Sequence, residues 1–340
     1  MYKAFFGLRE RPFDLTSDPR FLFLSKGHRE ALSLLHYGIS GDKGITVLTG
    51  EAGTGKTTVL RAACQQQPDG VVQTLQLFNP LVSPRELQEF IVHELRLHPS
   101  VVETKIGFLR TLHQTLHERR ARGRFTALLI DEAQGITEDL FEELRMLGNL
   151  ESSAGRLLSV VLTGQPELAQ RLNQPNLRAF KQRIALRTSL APFTMRETAG
   201  YVATRVQCSG GSAARLFTGA AVEAVHNASH GIARSISVIC DNALIAAYAM
   251  EQPTVTDTIV REVCADLDLE PAPPLPIGHV LARESMPSLD LAPRFADPLP
   301  ALGSPTVKLS MPPLEVSIAS SLPSGDLPPS GRARLIAVPK

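Results

Sequence analysis

The chain has 340 residues, with 35 Lys and Arg against 34 Asp and Glu, so its net charge at pH 7 is +1. This length predicts about two domains, and the near-neutral charge excludes a uniformly basic nucleic-acid-binding surface. Trp is absent and aromatic residues make up only 5%, which argues against a protein built from base-stacking platforms. The sequence contains no apolar run of the roughly 18 residues that a membrane helix needs.

The N-terminus and the cysteines indicate a cytoplasmic protein. Charged residues at 9–11 interrupt the first apolar stretch, so no secretory signal peptide is expected. The cysteines form no CxxC pair, which argues against a disulfide framework or a structural zinc site. They are Cys64, Cys208, Cys240 and Cys264. We therefore expect a reduced, cytoplasmic chain with no direct membrane insertion, peripheral to the inner membrane only through partners.

Taken in chain order, short apolar runs first alternate with longer segments of helical period. This pattern predicts an α/β domain with a parallel sheet over residues 1–192. The predicted strands are Ile45–Thr49, Val71–Leu77, Ala127–Asp131, Leu157–Thr163 and Ile184–Arg187. Two amphipathic helices are predicted between them. Their inner faces carry Leu87, Phe90, Ile91 and Leu95 in the first, and Val102, Ile106, Leu109 and Leu116 in the second.

The composition changes twice towards the C-terminus. Strand patterns stop after Pro192, and helices are predicted at about 194–207, 218–228, 232–249 and 256–267, which makes residues 193–270 a small all-α domain. Residues 271–340 hold 15 of the 25 prolines and have no periodic apolar pattern. Because such a segment buries too little surface to offset its ordering entropy, we expect a disordered tail.

A glycine-rich segment fits the phosphate-binding pattern G-x-x-x-x-G-K-[ST]. It follows a predicted strand and opens a helix, which is the context that the pattern requires. Backbone N–H groups and the helix N-terminus would bind phosphate, Lys56 would bridge the β- and γ-phosphates, and the Thr57 hydroxyl would ligate Mg²⁺. The predicted nucleotide-binding residues are Gly50, Glu51, Ala52, Gly53, Thr54, Gly55, Lys56, Thr57 and Thr58.

Two adjacent acids end another apolar strand. Asp131 is predicted to hold Mg²⁺ through water, and Glu132 to act as the general base that polarises the attacking water. One extra strand, Val71–Leu77, lies between the two motif strands in sequence. Together with the Glu that directly follows the Asp, this order is similar to the P-loop branch that hydrolyses ATP through an additional strand and a catalytic glutamate.

Further polar residues are candidates for sensing the γ-phosphate. Thr163 ends the predicted strand Leu157–Thr163 and Gln165 follows it, and a simple strand-to-turn cap is the alternative for each. Arg234 falls off the predicted inner stripe of its helix and would reach back to the phosphates, with a solvated helix face as the alternative.

These motifs, in this order, resemble the ExeA-like (general secretion pathway protein A) family of AAA+ ATPases over about residues 1–265. The matching segments are Met1–Leu8, Pro12–Phe13, Asp18–Ser25, His28–Leu32, Gly50–Thr58, Asp131–Gln134, Gly164–Leu168, Gln182–Ile184 and Gly231–Arg234. Related proteins include ATPases of exopolysaccharide and exosortase loci and, more distantly, transposition ATPases of the TniB kind. The resemblance implies an ATPase core and a helical lid with ATP between them.

The resemblance also implies roles for single residues. Thr163 or Gln165 takes the sensor 1 role and Arg234 the sensor 2 role. Arg183 matches the arginine finger supplied to a neighbouring subunit, with Arg178 and Arg187 as nearby competitors. The segment around Pro19 to Phe23 would line the adenine pocket. The lid motif usually has Pro where Ala233 stands, and the membrane helix and peptidoglycan-binding domain of ExeA are not expected here.

Two other clusters are interpreted as structural. His113 and His117 have the spacing of a zinc-protease motif, but Gln114 stands where that motif has Glu, so a solvated helix face is preferred. The basic run Arg119–Arg124 ends a predicted helix, with Gly123 as a natural C-cap. DNA contact through this run is possible but not favoured, because no aromatic residue is interleaved.

The sequence therefore predicts a Mg²⁺-dependent, self-associating AAA+ ATPase that acts on a protein client in envelope secretion or exopolysaccharide export. One alternative is a DNA-associated ATPase of the transposition or replication type. Another is a nucleotide-gated adaptor with little turnover.

Overall fold

The computed structural model describes residues 2–14, 21–40, 43–78, 80–153 and 155–269. The predicted tail at 271–340 and the start of the predicted adenine-pocket segment, Pro19, lie outside these ranges. Within them, no helix is both long enough and apolar enough to cross a membrane.

A five-stranded parallel sheet forms the centre of the first part of the chain. Its strands lie in the order β2-β3-β6-β1-β7. A two-residue antiparallel ribbon, β4 with β5, precedes β6. The bounds are β1 (Ile45–Gly50), β2 (Val72–Leu77), β3 (Phe125–Ile130), β4 (Glu151–Ser152), β5 (Gly155–Arg156), β6 (Ser159–Gly164) and β7 (Ile184–Leu190). All five predicted strands are confirmed within a few residues at each end.

The strand order decides which loops meet. The strand that separates the two motif strands in space is β6, which pairs with β1 on one side and β3 on the other. The strand β2, which separates the motif strands in sequence, lies at the sheet edge beside β3. Because the strands are parallel, the carboxyl ends of β1, β6 and β3 lie at one edge of the sheet.

Helices cover both faces of the sheet. They are α1 (Tyr2–Phe5), α2 (Lys26–Ser40), α3 (Lys56–Gln65), α4 (Pro84–Glu94), α5 (Lys105–Ala121), α6 (Glu138–Leu147), α7 (Pro166–Arg171) and α8 (Arg178–Lys181). Successive strand residues point to opposite faces. Accordingly Leu128 of β3 belongs to the apolar cluster of α4, α5 and α6, while its neighbour Leu129 belongs to the cluster of α2 and α3. The sheet is therefore buried on both sides, as expected for a parallel sheet.

The inner face of α5 differs from the prediction. Ile106 is 75% exposed, whereas Phe108, Leu112 and Leu116 are buried. The helix begins only at Lys105, after a separate 3₁₀ turn at Pro99–Glu103 that contains Val102. The predicted spacing from Val102 thus crossed a break between two elements, and the placement of Ile106 on the inner face was wrong.

Residues after β7 form helices around a second apolar core. They are α9 (Met195–Cys208), α10 (Ala213–Leu216), α11 (Gly219–Ser229), α12 (Ala233–Ala249) and α13 (Asp257–Asp266). The four predicted helices are confirmed, and α10 was missed because it is only one turn long. The predicted inner stripe of α12 is buried at Ile236, Ile239 and Ala243.

The N-terminal segment packs in this second core. Tyr2, Leu8 and Phe13 are buried there with residues of α9 to α13. The Arg205 side chain of α9 donates a hydrogen bond of 2.6 Å from Nε to the carbonyl of Pro12, and its Nη2 bonds the carbonyl of Asp14. The sequence grouped this segment with the α/β core, but its side chains are buried among the C-terminal helices.

Candidate nucleotide site

The glycine-rich loop connects β1 to α3 at the shared edge of the sheet. Gly53 and Gly55 have φ of 82° and 100°, a left-handed conformation that glycine adopts without steric cost. Gly55 is the N-cap of α3, so the free N–H groups of the helix begin directly after the loop. The loop thus brings glycine backbone and a helix N-terminus together, which is an anion-binding arrangement.

Lys56 is held inside the loop. It is buried, and its Nζ donates hydrogen bonds of 2.8 Å to the carbonyl of Gly50 and 3.0 Å to that of Glu51. Burial lowers its pKa, and the nearby carboxylates of Glu132 and Asp131 oppose this shift. The cation therefore lies where loop carbonyls and carboxylates surround it.

The other loop side chains divide into a buried and an exposed set. Thr54 is buried and donates a 2.8 Å hydrogen bond from Oγ1 to the Glu51 carbonyl. Glu51, Ala52 and Thr58 are exposed at the rim. The exposure of these three side chains favours contact with a nucleotide through their backbone and not through their side chains.

Asp131 lies at the end of β3 and joins three elements. The Thr57 hydroxyl donates a 2.6 Å hydrogen bond to its Oδ2. Its Oδ1 accepts from the Thr163 hydroxyl and, at 3.0 Å, from the backbone N–H of Glu132. A hydroxyl and a carboxylate oxygen side by side are hard oxygen donors of the kind that Mg²⁺ prefers. The residues present therefore fit a Mg²⁺ ion.

Glu132 is an exposed carboxylate at the rim of the site. Its backbone has φ of 54°, an unusual conformation for a non-glycine residue, and such strain is concentrated at functional sites. Two amides donate to its Oε2, namely Gln134 Nε2 at 2.6 Å and Gln165 Nε2 at 3.3 Å. Gln134 also accepts from the Gln165 N–H at 3.1 Å. Gln134 was not predicted as a site residue, although it is the last residue of the family-like segment Asp131–Gln134.

The two sensor candidates occupy different positions. Thr163 is fully buried on β6 and contacts Asp131. Gln165 lies beyond the strand, partly exposed, and contacts Glu132. The structure thus brings both residues to the site, Thr163 at the predicted metal ligand and Gln165 at the predicted base.

Arg234 begins helix α12 directly against the loop. Its backbone N–H donates a 3.2 Å hydrogen bond to the Gly53 carbonyl. A Cβ at Gly53 would lie 2.9 Å from Arg234 Cβ and 3.0 Å from Ile232 Cγ2, so only glycine fits this contact. The Arg234 side chain is exposed, as its position off the inner stripe predicts.

The arginine-finger candidates lie at some distance from the loop. Arg183 is exposed and precedes Ile184, which pairs with Ile45 at the start of β1, whereas Gly50 pairs with Leu190. The six residue steps from Ile184 to Leu190, at about 3.3 Å each, span about 20 Å, and Arg183 lies one residue further from the loop. Arg178 and Arg187 are also exposed. Arg183 therefore does not reach the phosphate loop of its own chain.

His28 is a buried residue beside the loop, and it was not predicted from the sequence as a site residue. Its Nε2 lies 2.9 Å from the Thr54 carbonyl, and its Nδ1 lies 2.9 Å from the Ser25 hydroxyl. Burial lowers its pKa, partly offset by the hydrogen bond to Thr54 and by Glu197. A histidine at the start of a helix carries no phosphate-site signal in sequence, because its contact is with a carbonyl 26 residues away.

The clusters interpreted as structural are not part of this site. His113 and His117 stack with ring centroids 6.3 Å apart, and His113 Nε2 lies 3.0 Å from the Glu151 carbonyl. The described residues contain no metal-binding group of three or more His, Cys, Asp or Glu side chains. Cys64 is partly buried on α3, and burial raises its pKa to about 11.

In the basic run, Arg119 Nε donates a 3.0 Å hydrogen bond to Thr126 Oγ1, and the Arg120 guanidinium lies 3.9 Å from the centroid of the Phe125 ring. Arg122 and Arg124 are exposed. Arg119 and Arg120, two of the four arginines in this run, therefore stabilise the connection between α5 and β3.

Comparison with known proteins identifies the family. The AAA domain family matches residues 39–172. General secretion pathway protein A of Aeromonas hydrophila is 42% identical over 250 residues, which are 73% of this chain and 45% of that protein. The chain thus spans less than half the length of this relative.

Solved structures show the same fold. A Drosophila ORC structure bound to DNA has a TM-score of 0.57 at 21% identity, covering 79% of this chain and 66% of that one. The ORC2 protein of Aeropyrum pernix, in ADPNP and ADP complexes, has a TM-score of 0.54 at 19% identity, with coverage of 76% and 71%. The resemblance inferred from the motifs is confirmed: this chain contains an AAA+ ATPase core that is similar to that of general secretion pathway protein A.

Proposed function

We propose that the chain binds ATP with Mg²⁺ at the loop Gly50–Thr57 and hydrolyses it with Glu132 as general base. The observation that carries this proposal is the meeting of the loop, the Thr57–Asp131 pair and Glu132 at one edge of the sheet. Lys56 would exchange its bonds to loop carbonyls for bonds to the β- and γ-phosphates. When bound, Mg²⁺ would neutralise charge on the phosphate oxygens, and Thr57 and Asp131 would hold it.

Each remaining group near Glu132 has a simple task in this scheme. The Glu132 carboxylate accepts a proton from the attacking water, and the amides of Gln134 and Gln165 orient it. The Thr163 hydroxyl fixes Asp131 through Oδ1 and leaves Oδ2 beside Thr57. We therefore assign phosphate sensing to Gln165 and metal-site support to Thr163.

The two arginine roles divide between chains. Arg234 begins a helix that contacts Gly53, so its guanidinium is within reach of phosphates in the same chain. Arg183 lies more than about 20 Å away along β7, so it would complete the site of a neighbouring copy. This assignment requires self-association, with Arg178 and Arg187 as the competing fingers.

We propose that the chain acts on a protein client in envelope secretion or exopolysaccharide export. The support for this setting is the 42% identity to general secretion pathway protein A. We further propose a cytoplasmic location, peripheral to the inner membrane through partners, with the helical domain over 193–270 acting as the lid.

DNA-associated turnover is the second candidate function. Exposed Arg122 and Arg124 favour it, and one solved structure of the same fold is an ORC bound to DNA. Against it, Arg119 and Arg120 already have partners inside the chain. An adaptor with little turnover is disfavoured by Glu132, which has no role in nucleotide binding alone.

One experiment separates these readings. ATP hydrolysis is measured against protein concentration, with and without duplex DNA, for wild type, Lys56→Ala, Arg183→Ala and the control Lys181→Ala. We expect specific activity that rises with concentration, ignores DNA, is lost in Lys56→Ala and falls about 10³-fold in Arg183→Ala. Stimulation by DNA would favour the second candidate, and negligible turnover at every concentration would favour the adaptor.

A further inference from the structure

His28 lies between the phosphate loop and helix α9. Its side chain is 4% exposed, and its Nε2 is 2.9 Å from the Thr54 carbonyl. A Cβ at Gly55 would lie 3.2 Å from Nε2, so the loop backbone packs directly on the ring. Because a carbonyl oxygen only accepts, Nε2 carries the proton and donates to Thr54.

The ring of His28 also contacts the start of the helical domain. The Phe193 ring lies 5.2 Å from the His28 ring, between centroids. Phe193 directly precedes Thr194, the N-cap of α9. In the neutral imidazole Nδ1 is an acceptor, so the Ser25 hydroxyl, 2.9 Å away, donates to it.

The His28 ring therefore lies between the phosphate loop at Thr54 and Gly55 and the segment that enters α9 at Phe193. A movement of α9 that shifts Phe193 changes the packing of the ring, and through Nε2 the support of the Thr54 carbonyl. Thr54 lies between Gly53 and Gly55, whose left-handed conformations shape the loop.

We propose that His28 is a positioning residue that holds the phosphate loop in its binding conformation and couples it, through the Phe193 ring, to helix α9. The proposal rests on the proposed nucleotide site and adds a residue that does not touch the nucleotide. Arg234 links the loop to α12 from the side of Gly53, and His28 links it to α9 from the side of Gly55.

The test measures affinity for the magnesium complex of the non-hydrolysable analogue AMPPNP by calorimetry. His28→Leu removes the donor to Thr54, and we expect about tenfold weaker binding, since a buried carbonyl is left unsatisfied. His28→Gln places an amide nitrogen near the Nε2 position, and we expect binding within about threefold of wild type. Equal affinity for His28→Leu and wild type, or equal loss in both variants, would overturn the proposal.

A second pair keeps the test valid if His28→Leu does not fold. Asn reaches the position of Nδ1 but not that of Nε2, so His28→Asn should bind weakly where His28→Gln binds well. Lys56→Ala is run in parallel. If Lys56→Ala retains affinity, the nucleotide site itself is wrong. If it loses affinity while every His28 variant keeps it, only the role of His28 is wrong.

The link to α9 is tested with Phe193→Leu, which keeps an apolar side chain at this buried position but removes the aromatic ring that contacts His28. Coupled residues give a double variant whose loss of affinity differs from the product of the two single losses. We expect such a deviation for His28→Leu with Phe193→Leu. A strictly multiplicative result would overturn the coupling to α9.

Discussion

Gly231 fixes the junction between the helical domain and the strand that leads into it. Its φ is 73°, and a Cβ there would lie 2.1 Å from the Phe193 carbonyl oxygen, a backbone atom that cannot turn aside. The Phe193 N–H donates a 2.8 Å hydrogen bond to the Gly231 carbonyl. Gly231→Ala must therefore displace the backbone at Phe193 and lose this bond.

The magnitude follows from these separate costs. A left-handed alanine costs about 1–2 kcal/mol and a lost hydrogen bond about 1 kcal/mol, so we expect a loss of about 2–3 kcal/mol in the free energy of unfolding, to which the displacement of the Phe193 backbone adds. Gly70 provides a matched control, because it has the same φ of 73° but no atom within 4 Å of an added Cβ. Gly70→Ala should cost only the conformational term, about 1–2 kcal/mol.

The assay is urea unfolding followed by circular dichroism at 222 nm for both variants. Nucleotide affinity should also fall in Gly231→Ala, because Ile232 and Arg234 follow directly and contact Gly53. A difference of less than about 0.5 kcal/mol between the two variants, which is the range of ordinary surface changes, would refute the steric argument for Gly231.

Three further changes test the site. Glu132→Gln should bind ATP normally and lose hydrolysis at least 100-fold, the usual contribution of a general base, in paired binding and turnover assays; retained turnover would exclude Glu132 as the base. Thr163→Val removes a buried donor to Asp131 and should cost about 1.5–3 kcal/mol of unfolding free energy, whereas Thr188→Val on β7 should be near neutral. Since burial lowers the pKa of His28 in the folded state below 6.5, the unfolded chain binds the proton first as the pH falls. The free energy of unfolding should therefore fall as the pH drops below 6.5. In urea unfolding this fall should be steeper in wild type than in His28→Gln, by up to about 1.4 kcal/mol per pH unit. Parallel curves for the two proteins would contradict the lowered pKa.

Local sequence was sufficient to predict those parts of the structure that depend on residues adjacent along the chain. The strands and the loop Gly50–Thr57 were found because an apolar run, two left-handed glycines and a helix start follow each other directly. Asp131 and Glu132 were found because they directly follow the apolar run of β3. Ile106 was misplaced because its spacing to Val102 ignored the break between a 3₁₀ turn and α5.

Contacts between distant segments could not be read in this way. Gln165 reaches Glu132 and Gln134 only because β6 pairs with β3, and no local pattern states that strand order. The N-terminal segment carries apolar residues that would suit either core. Its burial among the C-terminal helices brings in partners such as Arg205, which bonds the carbonyl of Pro12 from a position 193 residues away.

The glycines of the phosphate loop combine two requirements that are separate in physical terms. Left-handed backbone at Gly53 and Gly55 would be satisfied by glycine in any surroundings. The same two positions are also where the rest of the chain touches the loop, Arg234 at Gly53 and His28 at Gly55. A side chain at either position would push away the element that contacts it. The loop motif therefore specifies two things, the surface that the helical domain contacts and the backbone shape that binds phosphate. A change in either one must alter the other.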